Sequence, residues 1–294
     1  MPSTRDIRRR IKSVKNTAQI TKAMQMVASS KMRKAQLAAL AGRPYADLMN
    51  RVLAAVTKDE KEFTHPLLET REVRKRCVIV VSTDKGLCGS LNSNLLREAA
   101  KYEKDSTVYI TAGRKASQFI ARTKRQLAAE FTYKDAPLFS EARAISKFAR
   151  DMFTKAEVDH VDIVFTNFIN TLAQRPEVMP LLPVGEIKAV TAGLEGHAME
   201  GELASGDGVE YLFEPSAAQV LGELLPHYLN FRIYQILLEA KASEHSARMV
   251  AMKNATDNAK QIIKDLTLEY NKLRQANITK ELLEITTAQM ALGN

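Results

Sequence analysis

The chain has 294 residues, 45% hydrophobic and 26% charged, which is apolar material for a full core and too much of it for a disordered polypeptide. Two cysteines, Cys77 and Cys88, exclude a disulfide-stapled scaffold and point to a reducing compartment, and the longest aliphatic run, CVIVV at 77–81, is about a quarter of the ~20 residues needed to cross a bilayer. The net charge of +9 is local: residues 1–43 carry eleven Lys/Arg against Asp6 alone, residues 44–226 carry 23 against 26 acids, and residues 227–294 carry nine against seven.

Glycine and proline punctuate the chain unevenly. Between Pro2 and Gly42 there is no helix breaker, and between Pro226 and Gly293 there is none either. Two helices follow from this, both longer than the roughly 8–20 residues usual in globular proteins. At ~1.5 Å per residue, about 40 and about 66 residues span roughly 60 and 100 Å. Ser3 or Thr4 is placed to cap the first helix, with Asp6 in its first turn, and GRP at 42–44 ends it. Ser216 and Gln219, directly after Pro215, read as a capping box for the last helix, with Pro226 a candidate kink in its early turns. A basic, acid-poor start is also what a mitochondrial transit peptide looks like, but the helical pattern continues past residue 40 with no cleavage boundary.

Periodicity gives both helices one apolar seam. Ile7, Ile11, Val14 and Ala18 recur at three- and four-residue steps, and Ala28, Met32 and Ala35 continue the line beyond polar Thr21 and Gln25. In the last helix, Met252, Ala255, Ala259, Ile262, Leu266, Tyr270 and Leu273 do the same. Such small-residue seams suit a coiled coil. The chain connectivity makes the pair antiparallel with the middle domain at one end, and the longer helix is expected to overhang by about 25 residues, roughly 40 Å. A lone helix is marginal in water, so the overhang calls for a socket in another protein. Met24, Met26 and Val27 lie off the seam, making that segment apolar on a second face.

Between the helices, CVIVVS (77–82) reads as a buried strand, followed by the loop TDKGLCGSLN and a helix over about 93–102. Strand TVYIT (107–111), helix GRKASQFIAR, helix EARAISKFARDMF (141–153) and strand DIVFTNFI (162–169) come next. Alternation of this kind predicts an open, mostly parallel α/β sheet. Residues 185–208 hold six of the twelve glycines and read as an exposed excursion. The expected organisation is an N-terminal coiled-coil helix over 1–60, a central α/β domain over 70–214 and a C-terminal coiled-coil helix over 215–294.

No motif supplies bond-making chemistry. STDKGLCGSLN, 82–92, sits between strand and helix as phosphate loops do, but its Asp-Lys-Gly order is not that of a Walker A loop. It reads instead as a helix-start turn that displays Lys85 and Leu87 to a partner, or as a structural turn that uses Gly86 and Gly89 for backbone geometry. The five histidines (65, 160, 197, 227, 245) show no metal-binding pattern, and no nucleophile elbow occurs. The basic arm invites nucleic acid, yet its cations interleave with the seam and no aromatic precedes Tyr45.

Four motifs, in order, resemble the gamma subunit of the F-type ATP synthase over essentially the whole chain. They are IxSVxNTxxITKAMxMVASSKMRKAQ (Ile11 to Gln36), STDKGLCGSLN (82–92), SEHSARMVAMKNATDNA (243–259) and YNKLRQANITKELLEI (270–285). The segment 185–208 and the tail after Ile285 match less closely. The resemblance implies a central rotor shaft, an antiparallel coiled coil entering a ring of three alpha and three beta subunits. Its α/β domain is expected near the epsilon subunit and the membrane ring of c subunits. Proton flow turning that ring drives ATP synthesis or hydrolysis at sites on alpha and beta, so this chain is implied to be a non-catalytic subunit with no cofactor or metal of its own. It would sit peripherally at the cytoplasmic face of a bacterial inner membrane, held there through its partners.

By position the resemblance assigns contacts to Met24, to Lys85 and Cys88 in the loop, and to Arg248, Arg274, Gln275 and Thr279 on the last helix. Lacking further cysteines, the chain is not expected to carry a regulatory disulfide. TTAQMALGN at the end is small and apolar, as suits a bearing surface. Two readings from other classes remain on the residues alone: a basic coiled-coil protein that binds nucleic acid, and a small-molecule-binding α/β domain with helical oligomerisation arms.

Overall fold

A computed structural model describes residues 3–59, 65–184, 189–190, 200–201, 214 and 216–292. The glycine-rich excursion expected at 185–208 lies outside the described residues except for the short antiparallel pair β6 (Ala189–Val190) and β7 (Glu200–Gly201). The chain forms two compact units, one of Met1–Val27 with Met249–Asn294 and one of Ala28–Arg248.

Both long helices are present: α1 covers Thr4–Ala41 and α6 covers Ala217–Leu292, with Pro226 inside it. Ser3 caps α1, its hydroxyl accepting from the amide of Asp6 at 3.2 Å while Asp6 reaches back to the Ser3 hydroxyl at 2.8 Å. That bond is the first cause of the lowered pKa of the Asp6 carboxyl. At the start of α6, Ser216 Oγ accepts from the amide of Gln219 at 3.3 Å. Gly42 separates α1 from α2 (Arg43–Asp59), a break the GRP sequence predicts.

In the first unit the two helices pair as an antiparallel coiled coil. Ile7 of α1 and Met252, Ala259 and Leu266 of α6 are buried along the seam. Thr21 and Thr256 sit in it too, their hydroxyls 2.7 Å apart and each also within reach of a carbonyl one turn back in its own helix. One seam position differs from expectation: Ile262 is exposed and Ile263 is half-buried in its place. The steps 252, 256, 259, 263, 266, 270 keep a 3.5-residue repeat, which one more residue at 262 would break.

The second unit is a three-layer α/β domain. Its strands are β1 (Arg76–Val81), β2 (Thr107–Ala112), β3 (Gln126–Phe131), β4 (His160–Phe168) and β5 (Gln174–Leu182), in the order β3-β2-β1-β4-β5. The first four are mutually parallel and β5 is antiparallel to β4. Helices α3 (Leu91–Ala100) and α4 (Arg114–Arg122) cover one face through Val78, Val80, Tyr109 and Val164. On the other face Cys77, Ile79, Val81, Ile110, Ile163 and Phe165 meet α5 (Phe139–Thr154), α2 and the first third of α6. Central strands buried on both sides explain the unbroken CVIVV run.

Two strands escape the sequence patterns, and both are edges. β3 is mostly exposed, so it lacks the apolar run of its neighbours. β5 carries Pro176 and Pro180, residues that a sheet tolerates at its margin because no inner ladder needs their missing N–H. Gly113 links β2 to α4 at φ 101°, where an added Cβ would lie 2.3 Å from the carbonyl oxygen of Ser82. No other residue fits that crossing.

Candidate functional site

The strand order places a topological switch between β1 and β4, because the chain leaves β1 toward β2 on one side and returns to β4 on the other. Ligand and partner loops of open α/β sheets gather at the carboxyl ends of such strands. The STDKGLC loop leaves β1 there, and its last two motif residues, Leu91 and Asn92, already belong to α3.

Three elements hold this loop from beneath. Asn92 on α3 donates to Thr83 Oγ1 at 2.7 Å, and that hydroxyl donates to the Lys85 carbonyl at 2.7 Å. The amide of Arg114, at the start of α4, donates to Asp84 Oδ1 at 3.0 Å. From α6, Arg248 Nη2 donates to the Gly86 carbonyl at 3.2 Å and reaches that of Lys85 at 3.4 Å. Tyr133 adds a brace by donating to the Ser82 carbonyl at 2.9 Å.

The loop therefore presents its side chains outward. Lys85 and Leu87 are exposed, Leu87 at 61% and with φ 63°, a left-handed conformation costly for a branched residue. Gly89 also has positive φ, at 60°, while Gly86 does not. The expected demand for two glycines thus falls on Gly89 alone, and Leu87 takes up the second left-handed turn. Cys88 points inward, buried, with its thiol 3.3 Å from Asn92 Nδ2. Burial raises its pKa, and Cys77, deep in β1, is pushed up to about 12 for the same reason, so neither is a reactive thiolate.

Arg248 does not stand alone on α6. Glu244 Oε1 takes its Nη2 at 2.7 Å, and Glu244 Oε2 takes Lys241 Nζ at 3.0 Å. One carboxylate thus divides its oxygens between a cation one turn before it and one turn after it. Lys241, Glu244 and His245 are all buried, and Lys241 also sits 4.4 Å from the centre of the Tyr133 ring. Asp135, which pairs with Lys31 of α1, lies 3.9 Å from both Lys241 and His245. Hydrogen bonding from Lys31 is the first cause of the lowered Asp135 pKa. Desolvation drives His245 down to about 4, so the ring is neutral at physiological pH.

One turn earlier, Glu239 accepts from the Phe168 amide at 3.0 Å, and its other oxygen has no hydrogen bond. Desolvation lifts this carboxyl to about 8. Ser243 and Ser246 donate to the carbonyls of Thr166 and Thr171, at 3.0 and 2.8 Å, pinning α6 to the end of β4 and the turn after it.

Of the seven predicted contact residues, the structure gathers Lys85, Cys88 and Arg248 around this loop. In the coiled-coil unit, Met24 is half-buried, with Met26 and Val27 beside it exposed. Arg274, Gln275 and Thr279 are exposed on α6, and from Arg274 to Met290 every side chain is exposed, including Ile278, Leu282, Leu283 and Ile285. Lys241, Glu244, Asp135 and Lys31 went unread in the sequence. The spacing in KASEHSAR, a base, an acid three on and a base four further, was the available signal.

Among the described residues no group of three or more His, Cys, Asp or Glu side chains could hold a metal ion, and no helix is long and apolar enough to cross a membrane. A family model described as ATP synthase matches residues 3–292. The chain is 50% identical to the ATP synthase gamma chain of Opitutus terrae, over the full length of both. Among solved structures it is similar to a chain of the Tetrahymena thermophila mitochondrial ATP synthase central stalk and c-ring, with a TM-score of 0.58 and 26% identity over 80% of this chain and 99% of that one. A rotor chain of the Euglena gracilis mitochondrial enzyme shares the fold at 19% identity, with a TM-score of 0.64 over 94% and 98% of the two chains. Matched end to end by that family model and by a relative at half its residues, this chain belongs to the ATP synthase gamma chain family.

Proposed function

We propose that this chain is the central rotor shaft of a proton-translocating ATP synthase. It couples rotation of a membrane c ring to ATP synthesis and hydrolysis at catalytic sites carried by three alpha and three beta subunits, with an epsilon subunit beside it. It is a non-catalytic subunit, and in a bacterium it would lie at the cytoplasmic face of the inner membrane, held peripherally by its partners.

The observation that carries this reading is the stretch of α6 from Arg274 to Met290, exposed at every position yet studded with large apolar residues. A helix that buries nothing of itself is stabilised only by something that surrounds it. Arg274, Gln275 and Thr279 supply polar links in that setting, Met24 with Met26 and Val27 a second apolar patch, and Lys85 with Leu87 a contact on the strand-end loop. Cys88 supports that loop from inside, and Arg248 holds it.

Co-assembly tests the reading. Full-length chain mixed with alpha, beta and epsilon subunits should give a complex with one copy of this chain per three alpha and three beta, and its removal should abolish ATP-driven proton pumping in vesicles carrying the membrane sector. A chain that stays apart from alpha and beta and instead shifts duplex DNA at physiological salt would end it.

A further inference from the structure

Arg248 makes a full set of guanidinium contacts inside the chain. Its side chain is only 11% exposed, its Nη2 is on Glu244 and on the Gly86 carbonyl, and its Nε and Nη1 lie 3.4 Å from the Gly86 carbonyl and His245 Nδ1. Glu244 in turn has no oxygen left over, because Lys241 takes the second. The chain of interactions runs Lys241, Glu244, Arg248, Gly86, and ends one residue from Leu87.

We infer that the Lys241–Glu244–Arg248 triad is a positioning device that fixes the Lys85–Leu87 tip rigidly to α6, so that the tip moves with that helix instead of yielding when a partner presses on it. The inference rests on the reading of this loop as a partner contact.

Three features favour this over a triad that only stabilises the fold. A buried ion triad of this kind gives little net stability compared with apolar side chains of the same volume, so its presence calls for another reason. Among the described residues its loop partners are two backbone carbonyls, which a fork of five donors can bridge and an ammonium cannot. The residue it holds beside them, Leu87, adopts a left-handed backbone with its side chain in solvent. A loop under that cost persists only when its surroundings over-determine it, and here Asn92, Arg114 and Arg248 do so from three helices, the first two through Thr83 and Asp84 of the loop. The tip is an apolar knob with a cation two residues away, which fits an apolar hollow with an acidic rim.

The test uses the assembled, membrane-bound complex with R248K and L87A. R248K keeps the charge and the link to Glu244 but cannot bridge both carbonyls. It should speed hydrogen exchange of the amides of residues 84–88 by ~10-fold or more, and lower protons pumped per ATP hydrolysed by about 2–5-fold, a ratio that a purely structural loss of folded complex would not move. L87A should lower the same ratio without changing the exchange of its neighbours. If R248K leaves loop exchange unchanged, or loosens the loop with the pumping ratio intact, the triad is not a positioning device. If R248K fails while L87A still uncouples, the contact reading stands and only this inference falls. If L87A has no effect on the ratio, the contact reading of the loop falls and takes the inference with it.

Discussion

Two stretches of one helix live in opposite solvents. From Tyr228 to Ser246 every residue of α6 but Tyr234 is buried, and from Arg274 to Met290 every residue is exposed. The buried stretch nevertheless encloses Asn230, Arg232, Gln235, Glu239, Lys241, Glu244 and His245, whereas the exposed stretch displays Ile278, Leu282, Leu283, Ile285 and Met290. Burial here does not track hydrophobicity. Lys241 and Glu244 are held by matched partners, Glu239 keeps one buried oxygen without a hydrogen bond, and the exposed apolar residues call for a partner outside the chain.

Four measurements on the full-length chain probe that contrast, in descending order of effect. Replacing Glu244 by Ala leaves Lys241 and Arg248 as neighbouring cations without their shared anion. Urea unfolding should show a loss of about 3–5 kcal/mol, and a loss below ~1 kcal/mol would mean that water already reaches the triad.

Glu239 gives the second. Its carboxyl titrates near 4.5 when solvated and near 8 in the fold, so the folded chain holds the proton over that window and the unfolded chain does not. Stability from this group is therefore full below about pH 4.5 and declines as pH rises to 8. His245 acts at the other end: with a folded pKa near 4 against 6.5 in water, it costs stability as pH falls from 6.5 toward 4. E239Q keeps an acceptor for the Phe168 amide and removes the alkaline penalty, and should raise the melting temperature at pH 8.5 by roughly 3–6 °C with a much smaller gain at pH 5. An equal gain at both pH values would show that charge is not the cause.

The seam lies between the extremes. T21V removes the cross-helix hydrogen bond and leaves the Thr256 hydroxyl with the Met252 carbonyl alone; it should cost about 1 kcal/mol, recovered in part by T256V on the same chain in a double-mutant cycle. Smallest is K280A, which removes the exposed i,i+4 pair with Glu284. It has the spacing of the Glu244–Arg248 pair and should change stability by no more than ~0.5 kcal/mol. Identical spacing with unequal cost would isolate burial as the variable.

The parts of this fold legible in the sequence are those set by local rules. Missing Gly and Pro located α1 and α6, Ser3 and Ser216 marked their starts, and GRP marked the break before α2. Strands β1, β2 and β4 announced themselves because both their faces are buried. The edge strands did not: β3 has too little buried surface to pattern its residues, and the prolines of β5 argue against a strand unless its marginal place is known. At the loop, the sequence located Lys85 and Leu87 but could not show that Cys88 faces inward. For Arg248 the resemblance supplied a partner contact by position, and the helix pattern gave the spacing of its charges but not the layer laid over them. The inward turn of that guanidinium depends on β1, α3 and α6 meeting, which is tertiary information.

Before it meets any partner, the row from Ile278 to Met290 is a hazard to the cell that makes it. A naked amphiphilic rod presents a surface on which other nascent chains and other copies of itself can adsorb. Any excess over its partners would then be lost to aggregates or proteases, so supply must be matched to the proteins that enclose the rod. The same surface that serves a finished machine thereby sets a stoichiometric limit on how that machine is built.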